Sequence, residues 1–329
     1  MAPGTKGFVP VLHAATQDRP DEIDTLVAAA AVATALKELG YSTEIVALSS
    51  DLAEIEALPA RRPLLVFNLV DAVDGDGKLA PMVPERLDAF GIPYTGCDTG
   101  AWRETLSKVA TKARLAETGL PTPAWSEDGT GLDPHAPAIV KPIWEHGSLG
   151  LDEASVVPGA EAPQAIAERN ARWTTEHFAE SFVEGREFNV AMLGGAHGVE
   201  ILPIAEIIFE DWQQDRPRIV DYEAKWVADS TAYAATPRRF GLEETAPALA
   251  ARLTLLAQAS WILFGLSSYA RIDFRVDAEG RPYILEVNVN PCLSPDAGFA
   301  AAASEWGLAY EDMIGRIVEA SRGPLHVTT

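Results

Sequence analysis

With two cysteines in 329 residues, Cys97 and Cys292, the chain has no material for a disulfide framework. Long apolar runs are missing too. The longest, residues 26–36, is eleven positions of mostly alanine interrupted by Thr34, where a bilayer span takes roughly 20. The N-terminal stretch has a short apolar segment but no signal-peptide core of useful length, so a soluble, cytoplasmic protein is expected. Positive charge is scarce: 26 Lys and Arg stand against 48 Asp and Glu, a formal net charge of −22. Nucleic acid and anionic membrane are therefore not expected partners, since both need a basic surface. A small polyanion is still admitted, provided that a few lysines and arginines gather in one cleft. What the chain does have is a 47% apolar, 22% charged composition and enough length for two or three packed subdomains.

Strand and helix signals alternate over the first ~95 residues, as in an α/β unit. Residues 8–13, 42–48 and 63–70 read as strands, the last apolar enough to be buried on both faces. Residues 21–39 read as a helix, with Pro20 at its start, Asp21, Glu22 and Asp24 in its first turn and Gly40 as its stop. An acidic loop, DAVDGDGK, follows at residues 71–78. Further on, helices are expected over 104–118, 243–264 (despite Pro247) and 311–321. Strands are expected over 138–141, 178–182, 187–193, 199–209, 269–276 and 283–290. No repeat or low-complexity segment is evident.

The segment ARIDFRVDAEGRPYILEVNVNP carries the most chemistry. Asp277-Ala278-Glu279-Gly280 is turn chemistry between two alternating runs, hence a β-hairpin. Its period of two puts Arg271, Asp273 and Arg275 on one face and Ile272, Phe274 and Val276 on the other. A turn centred between Ala278 and Glu279 sets Arg271 opposite Glu286, with Asp273 diagonal to it and Asn288 next on that face. Two carboxylates and an amide suit a hard cation such as Mg²⁺, which takes oxygen ligands and shares them with phosphates. Arg271 is then left to stabilise charge on a substrate oxygen. The plain alternative is a solvated face with an Arg–Glu cross-strand pair.

Three lysines stand out in so acidic a chain: Lys108, Lys141 and Lys225, each at an element end or in a loop. A lysine at a strand end before a Gly loop, as in AIVKPIWEHGSLG, makes a reasonable phosphate clamp, although each alone could be an ordinary surface residue. In FAESFVEGREFNV, Glu180, Glu184 and Glu187 flank a turn at Gly185, where an adenosine or a mere acidic hairpin tip would fit.

Taken together, these residues resemble the D-alanine–D-alanine ligase branch of the ATP-grasp superfamily, in order over most of the length and most tightly from Lys108 onward. The motifs are an early helix lysine (Lys108), Val140-Lys141-Pro142 with a Gly/Ser loop at 147–150, and a two-glutamate hinge (Glu180, Glu187). A DYEAKY-like segment at 221–226 and a GRID…LEVNTSPG-like ending at 270–273 and 285–292 complete the set.

The resemblance implies an α/β ATP-grasp fold: a Rossmann-like N-terminal domain (1–97) and two α+β subdomains (98–184 and 185–329) clasping ATP. It implies that Lys108, Lys141 and Lys225 bind phosphates and that Glu180, Glu187 and the backbone near Phe182 and Val183 hold the adenosine. Asp273, Glu286 and Asn288 would bind Mg²⁺, as two ions in such enzymes, with Mn²⁺ an expected substitute. Arg271 and the N–H near Cys292 would form an oxyanion site, and Lys225 and Ser148 would join Arg271 in catalysis. The implied reaction joins a small-molecule carboxylate to an amine through an acylphosphate, beneath loops at 147–150 and 212–231. A tendency to form homodimers is implied as well.

The departures fall on the substrate side. ATQDRPDEID replaces a Gly-rich opening, with Asp21 where family ligases hold an amino group, and Leu69-Val70-Asp71 replaces a His-Gly pair. Trp226 takes the place of a tyrosine whose hydroxyl closes the loop network. NTSPG becomes Asn288-Val289-Asn290-Pro291-Cys292, and Ala297 stands where a serine binds the second substrate's carboxylate, with Ser294 or Asp296 as replacements. Asp21, Asp71, Asn290, Ser294 and Asp296 are therefore the substrate-side candidates, and a substrate pair other than two D-alanines is expected, outside the cell wall and in specialised metabolite assembly. A D-alanine–D-alanine ligase with an unusual pocket, a phosphotransferase and a non-catalytic nucleotide-binding module are the alternatives.

Overall fold

The computed structural model describes residues 5–15, 19–173, 175–213 and 215–321. Residues 16–18, part of the rewritten opening segment, lie outside them. The N-terminal region is a βαβαβ unit: β1 (Val11–Ala14), α1 (Pro20–Glu38), β2 (Ile45–Leu48), α2 (Ala53–Arg61) and β3 (Phe67–Asn68). Its three strands are parallel in the order β2-β1-β3. The expected strands were longer, and Phe8 and Ser42 meet only as an isolated bridge. Leu65, Val66 and Phe67 are fully buried, as a strand covered on both faces must be.

Helix α1 begins as its sequence dictates. Pro20 occupies the first turn, where no N–H is needed, and the Glu22 carboxylate accepts from the Arg19 N–H at 3.3 Å. Its alanine-rich face buries Ala28, Ala29 and Val32 against Met313, Ile314 and Ile317.

After α3 (Met82–Ala89), the helix expected over 104–118 is two: α4 (Thr99–Thr105) and α5 (Lys108–Glu117). Ser107 divides them, its hydroxyl capping α5 by accepting from the Ala110 N–H. A four-stranded antiparallel sheet follows, with β4 (Trp125–Ser126), β5 (Pro137–Pro142), β6 (Val156–Pro158) and β7 (His177–Ser181) in the order β4-β7-β5-β6. Helix α6 (Ala162–Arg172) covers it, burying Ile166 against Val140.

The largest sheet holds β8 (Arg186–Gly195), β9 (Gly198–Ile201), β10 (Ala205–Ile207), β11 (Arg238–Arg239), β12 (Tyr269–Val276) and β13 (Pro282–Asn288). Its order is β11-β10-β8-β12-β13, with β9 also on β8. The strand expected over 199–209 is broken around Pro203, which has no N–H for the ladder. Short helices α7 (Tyr222–Trp226), α8 (Thr231–Ala234) and α9 (Leu242–Thr245) precede α10 (Pro247–Leu263). Pro247 therefore opens a helix rather than sitting inside one.

Trp102 and Leu115, from α4 and α5, share a core with Phe188, Ile272, Phe274 and Leu253. The chain ends in α11 (Gly298–Glu305) and α12 (Tyr310–Ala320), which return to α1. No helix among the described residues is long and apolar enough to cross a membrane.

Candidate active site

The β12–β13 hairpin forms as its alternation demands: Ile272, Phe274 and Val276 are buried, while Arg271, Asp273 and Arg275 line a cavity. Its register differs from the expected one. Asp273 faces Glu286 and Arg271 faces Asn288, with an irregularity between Asp273 and Phe274. The turn and that irregularity each shift the pairing by one residue. The Asp277 carboxylate accepts from the N–H groups of Glu279 and Arg281, so the reversal takes in Arg281 and shifts the pairing. The correction puts the two carboxylates directly opposite each other.

Asp273 accepts four hydrogen bonds from three side chains. Arg271 donates to both its oxygens at 2.7 and 2.8 Å, Asn189 donates to Oδ1 at 2.8 Å and Asn288 to Oδ2 at 2.9 Å. Glu286 Oε1 lies 3.4 Å from Lys108 Nζ. Burial opposes its charge, but Lys108, His146, Lys141 and Lys225 together hold Glu286 well below the usual carboxylate range. Two facing carboxylates and an amide oxygen are a donor set that fits a hard divalent cation bound partly through phosphates. To hold one, Asp273 has to give up the Arg271 guanidinium.

The three predicted lysines converge: Lys108 begins α5, Lys141 ends β5 and Lys225 lies in α7, and all line one cavity of about 580 Å³. Behind them is a fourth that sequence reading missed. Lys112, one turn after Lys108, is 1% exposed and ion-paired with Glu180, which also meets Lys141 Nζ at 2.6 Å. Glu180, expected to hold the adenosine, is itself 1% exposed, and its two oxygens are engaged by the two lysines. Burial works against all three charges. Even so, the lysines hold Glu180 below its ordinary range, Glu180 raises Lys141, and Lys112 is lowered because burial outweighs its partner.

Glu187 lines the cavity and pairs with Arg275 at 3.1 Å. Phe182 and Val183 line it too, although the Phe182 N–H is already committed to Pro137 O. Between these strands Gly185 has φ +149°, and a Cβ there would lie 2.0 Å from Val276 O, so glycine is required for the hinge to approach β12.

Two loops close over the cavity and are tied together. Ser148, at φ +65°, donates its hydroxyl to Val220 O at 2.8 Å. The Trp226 indole N–H donates to Gly147 O at 2.6 Å, and the Tyr222 hydroxyl donates to Asp21 Oδ1 at 2.6 Å. The Tyr222 hydroxyl and the Trp226 indole thus tie α7 to both α1 and the 147–150 loop. Asp221 caps α7, accepting from the Ala224 N–H, and pairs with Arg216 at 2.9 Å. Burial and the nearby Arg271 lower Lys225.

The substrate-side candidates divide. Asp21 and Asp71 line a smaller cavity of about 50 Å³ beside Glu145 and His146. The protein packed around Asp71 raises its carboxyl above the ordinary range, although the residue is exposed. Asp296 lines the large cavity, its carbonyl accepting from Arg238 Nη1 at 2.8 Å.

Two further candidates are engaged in links between elements. Asn290 accepts from the Tyr269 hydroxyl at 2.6 Å and donates to Val70 O at 3.1 Å, joining β12 to the chain just after β3. Ser294 is fully buried and donates to Asp24 O at 3.1 Å. Cys292 lines the large cavity with its thiol donating to Asp24 Oδ2 at 2.9 Å; burial and Asp24 push it up to about 12. Six basic and seven acidic side chains line the large cavity, so a chain of net charge −22 keeps this one space close to neutral and open to a polyanion.

Comparison with known proteins gives this geometry a context. Residues 133–319 match the family model described as D-ala D-ala ligase C-terminus. The D-alanine–D-alanine ligase of Cupriavidus necator is 30% identical over 247 residues, 73% of this chain and 71% of that one. The protein y4sG of Sinorhizobium fredii is 31% identical over 298 residues, 88% of this chain and 85% of that one. A crystal structure of the D-alanine–D-alanine ligase from Bacillus anthracis complexed with ATP superposes with a TM-score of 0.75 at 20% identity, covering 96% of this chain and 97% of that one. The chain belongs to the D-alanine–D-alanine ligase family, ATP-grasp enzymes that form carbon–nitrogen bonds.

Proposed function

We propose that this ligase uses Mg·ATP to join a small-molecule carboxylate to an amine, and that its substrate pair is not two D-alanines. The observation that carries the reading is the single cavity in which Asp273 and Glu286 face each other beside Lys108, Lys141 and Lys225. In-line attack of the substrate carboxylate on the γ-phosphate needs positioning and charge neutralisation above all. Lys108, Lys141 and Lys225 supply the cations, and Lys112 with Glu180 fixes the head of Lys141.

Asp273, Glu286 and Asn288 would hold the divalent ions, which neutralise phosphate charge when bound. Arg271, released from Asp273, would stabilise the tetrahedral oxyanion formed when the amine attacks the acylphosphate. The 147–150 loop and the 212–231 segment exclude water from that hydrolysable species. The apolar wall of Ile139, Phe182, Ile219 and Leu285 suits a purine, with Glu187 as the carboxylate left for the ribose.

The altered substrate pair is supported by Asp21 and Asp71 in the small cavity, and by buried Ser294 and Ala297 where a carboxylate anchor was sought. The name of the Cupriavidus necator relative favours the D-alanine pair as the second reading. Phosphate release from Mg·ATP across a panel of D- and L-amino acids, singly and in pairs, separates them, with Glu286→Gln as the control. Release that needs an acid and an amine other than D-alanine, and is lost in the control, is the expected result. Efficient synthesis of D-alanyl-D-alanine would overturn the altered pair, and ATP binding without release for any pair would point to a nucleotide-binding module.

A further inference from the structure

Helix α1 separates the two cavities and shows each a different face. Asp21, Glu22 and Thr25 line the small acidic one. Pro20, Ile23, Asp24 and Val27, spaced as one stripe of the helix, line the large one. On that stripe Ile23 is 49% and Val27 48% exposed. Single apolar residues on a convex surface need no explanation, but two on one stripe of a concave wall do.

Ala228, Pro237 and Ala297 add apolar surface to the same cavity, beside Arg238 and Asp296. Between Ile23 and Val27, Asp24 accepts from the Cys292 thiol at 2.9 Å. The stripe is thereby tied to the chain just beyond β13, whose Glu286 lines the same cavity with Arg271 and Asp273. The strands of the hinge already provide an apolar bed for a purine, so the α1 stripe is left for another occupant.

We propose that this stripe is the side-chain subsite of the amine substrate and that it selects an amino acid with a bulky apolar side chain, branched or aromatic, over alanine. The proposal rests on the ligase reading above and names the class of its second substrate. Filling a hydrophobic pocket discriminates by roughly 10–200-fold per methylene-sized difference, which is ample for selection at this stripe.

The test measures amine-dependent phosphate release with alanine, valine, leucine and phenylalanine as acceptors, for the wild type, Ile23→Ala and Val27→Ala. Both positions are half exposed on a helix, where alanine is the best helix former, so the variants fold. Leucine or phenylalanine is expected to exceed alanine at least about tenfold in kcat/KM, each variant lowering that advantage about tenfold and leaving the KM for ATP unchanged. Amine-dependent turnover with alanine equal to or better than the larger amino acids overturns the subsite and leaves the ligase reading standing. A raised KM for ATP in both variants also overturns it, by placing the nucleotide on the stripe. Release that no acceptor stimulates overturns the ligase reading itself, and the subsite with it.

Discussion

The Tyr222 hydroxyl meets Asp21 Oδ1 at 2.6 Å, joining α7 to α1 across 201 positions of sequence. This bond ties the segment that carries Lys225 to α1, and residues of both line the large cavity. Burial and the adjacent Asp21 push the Tyr222 hydroxyl up to about 12, which keeps it a donor throughout the neutral range. A hydrogen bond to a charged group contributes about 1.5–3 kcal/mol. Tyr222→Phe should therefore shift the closed-to-open ratio about tenfold or more and let water reach the acylphosphate. ATP hydrolysed per amide formed is the quantity to measure. It should rise in the variant, and an unchanged ratio would show that closure does not depend on this bond.

Glu180 sits between Lys112 and Lys141, so removing the acid and removing one base are unequal changes. Glu180→Gln leaves two buried ammonium groups without their carboxylate, and breaking a buried pair in this way costs about 3–5 kcal/mol. Lys112→Met leaves Glu180 paired with Lys141 and should cost far less. Urea denaturation of the two variants compares them directly, and equal losses would contradict the shared-carboxylate arrangement.

His146, at the small cavity, gives stability a pH dependence of known sign. Burial, then the neighbouring Lys108, lowers its ring to about 4 from the ordinary 6.5. The unfolded chain takes up a proton near 6.5 that the folded one refuses until about 4. This residue's effect on stability is nil above about 6.5, grows unfavourable as the pH falls through that window and is complete below it. It amounts to no more than roughly 3 kcal/mol, because the residue is partly exposed. His146→Gln should narrow the difference in unfolding free energy between pH 7.5 and pH 4.5. A difference the same as in the wild type would mean that the ring is charged in the folded protein.

What could be read from the sequence, and what could not, divides along physical lines. Alternation and turn residues are local, so the hairpin face of Arg271, Asp273 and Arg275 and its apolar back were legible. The register was not, because it depends on how far the Asp277 carboxylate extends the turn and on the irregularity between Asp273 and Phe274. Lys108, Lys141 and Lys225 were found by their places at element ends and by the family motifs. Lys112, one turn after Lys108, carries no such mark: its partner Glu180 is distant in sequence and was itself assigned to the nucleotide. The bonds that Asn290 and Ser294 make to Val70 O and Asp24 O were illegible for the same reason, since they join residues distant in sequence. Helices α2, α3, α6 and α11 were not read from the sequence, since the stability of such helices comes from tertiary packing rather than propensity.

Cys292 poses a chemical choice that one substitution decides. It lies in the cavity wall near Arg271, where a nucleophilic thiolate could be imagined to take up the acyl group. The structure argues otherwise: the thiol donates to Asp24, and a group pushed up to about 12 is almost wholly protonated at neutral pH. Its physical role is then to anchor Asp24 between Ile23 and Val27. A serine keeps that donor and an alanine does not. Cys292→Ser should thus retain the rate within about threefold, while Cys292→Ala should raise the KM for the amine more than it lowers kcat, by about tenfold for a lost bond to a charged acceptor. Steady-state kinetics in the amine measure both. A loss of several orders of magnitude in kcat on Cys292→Ser, with an acyl adduct on the wild-type thiol by mass spectrometry, would instead establish covalent catalysis.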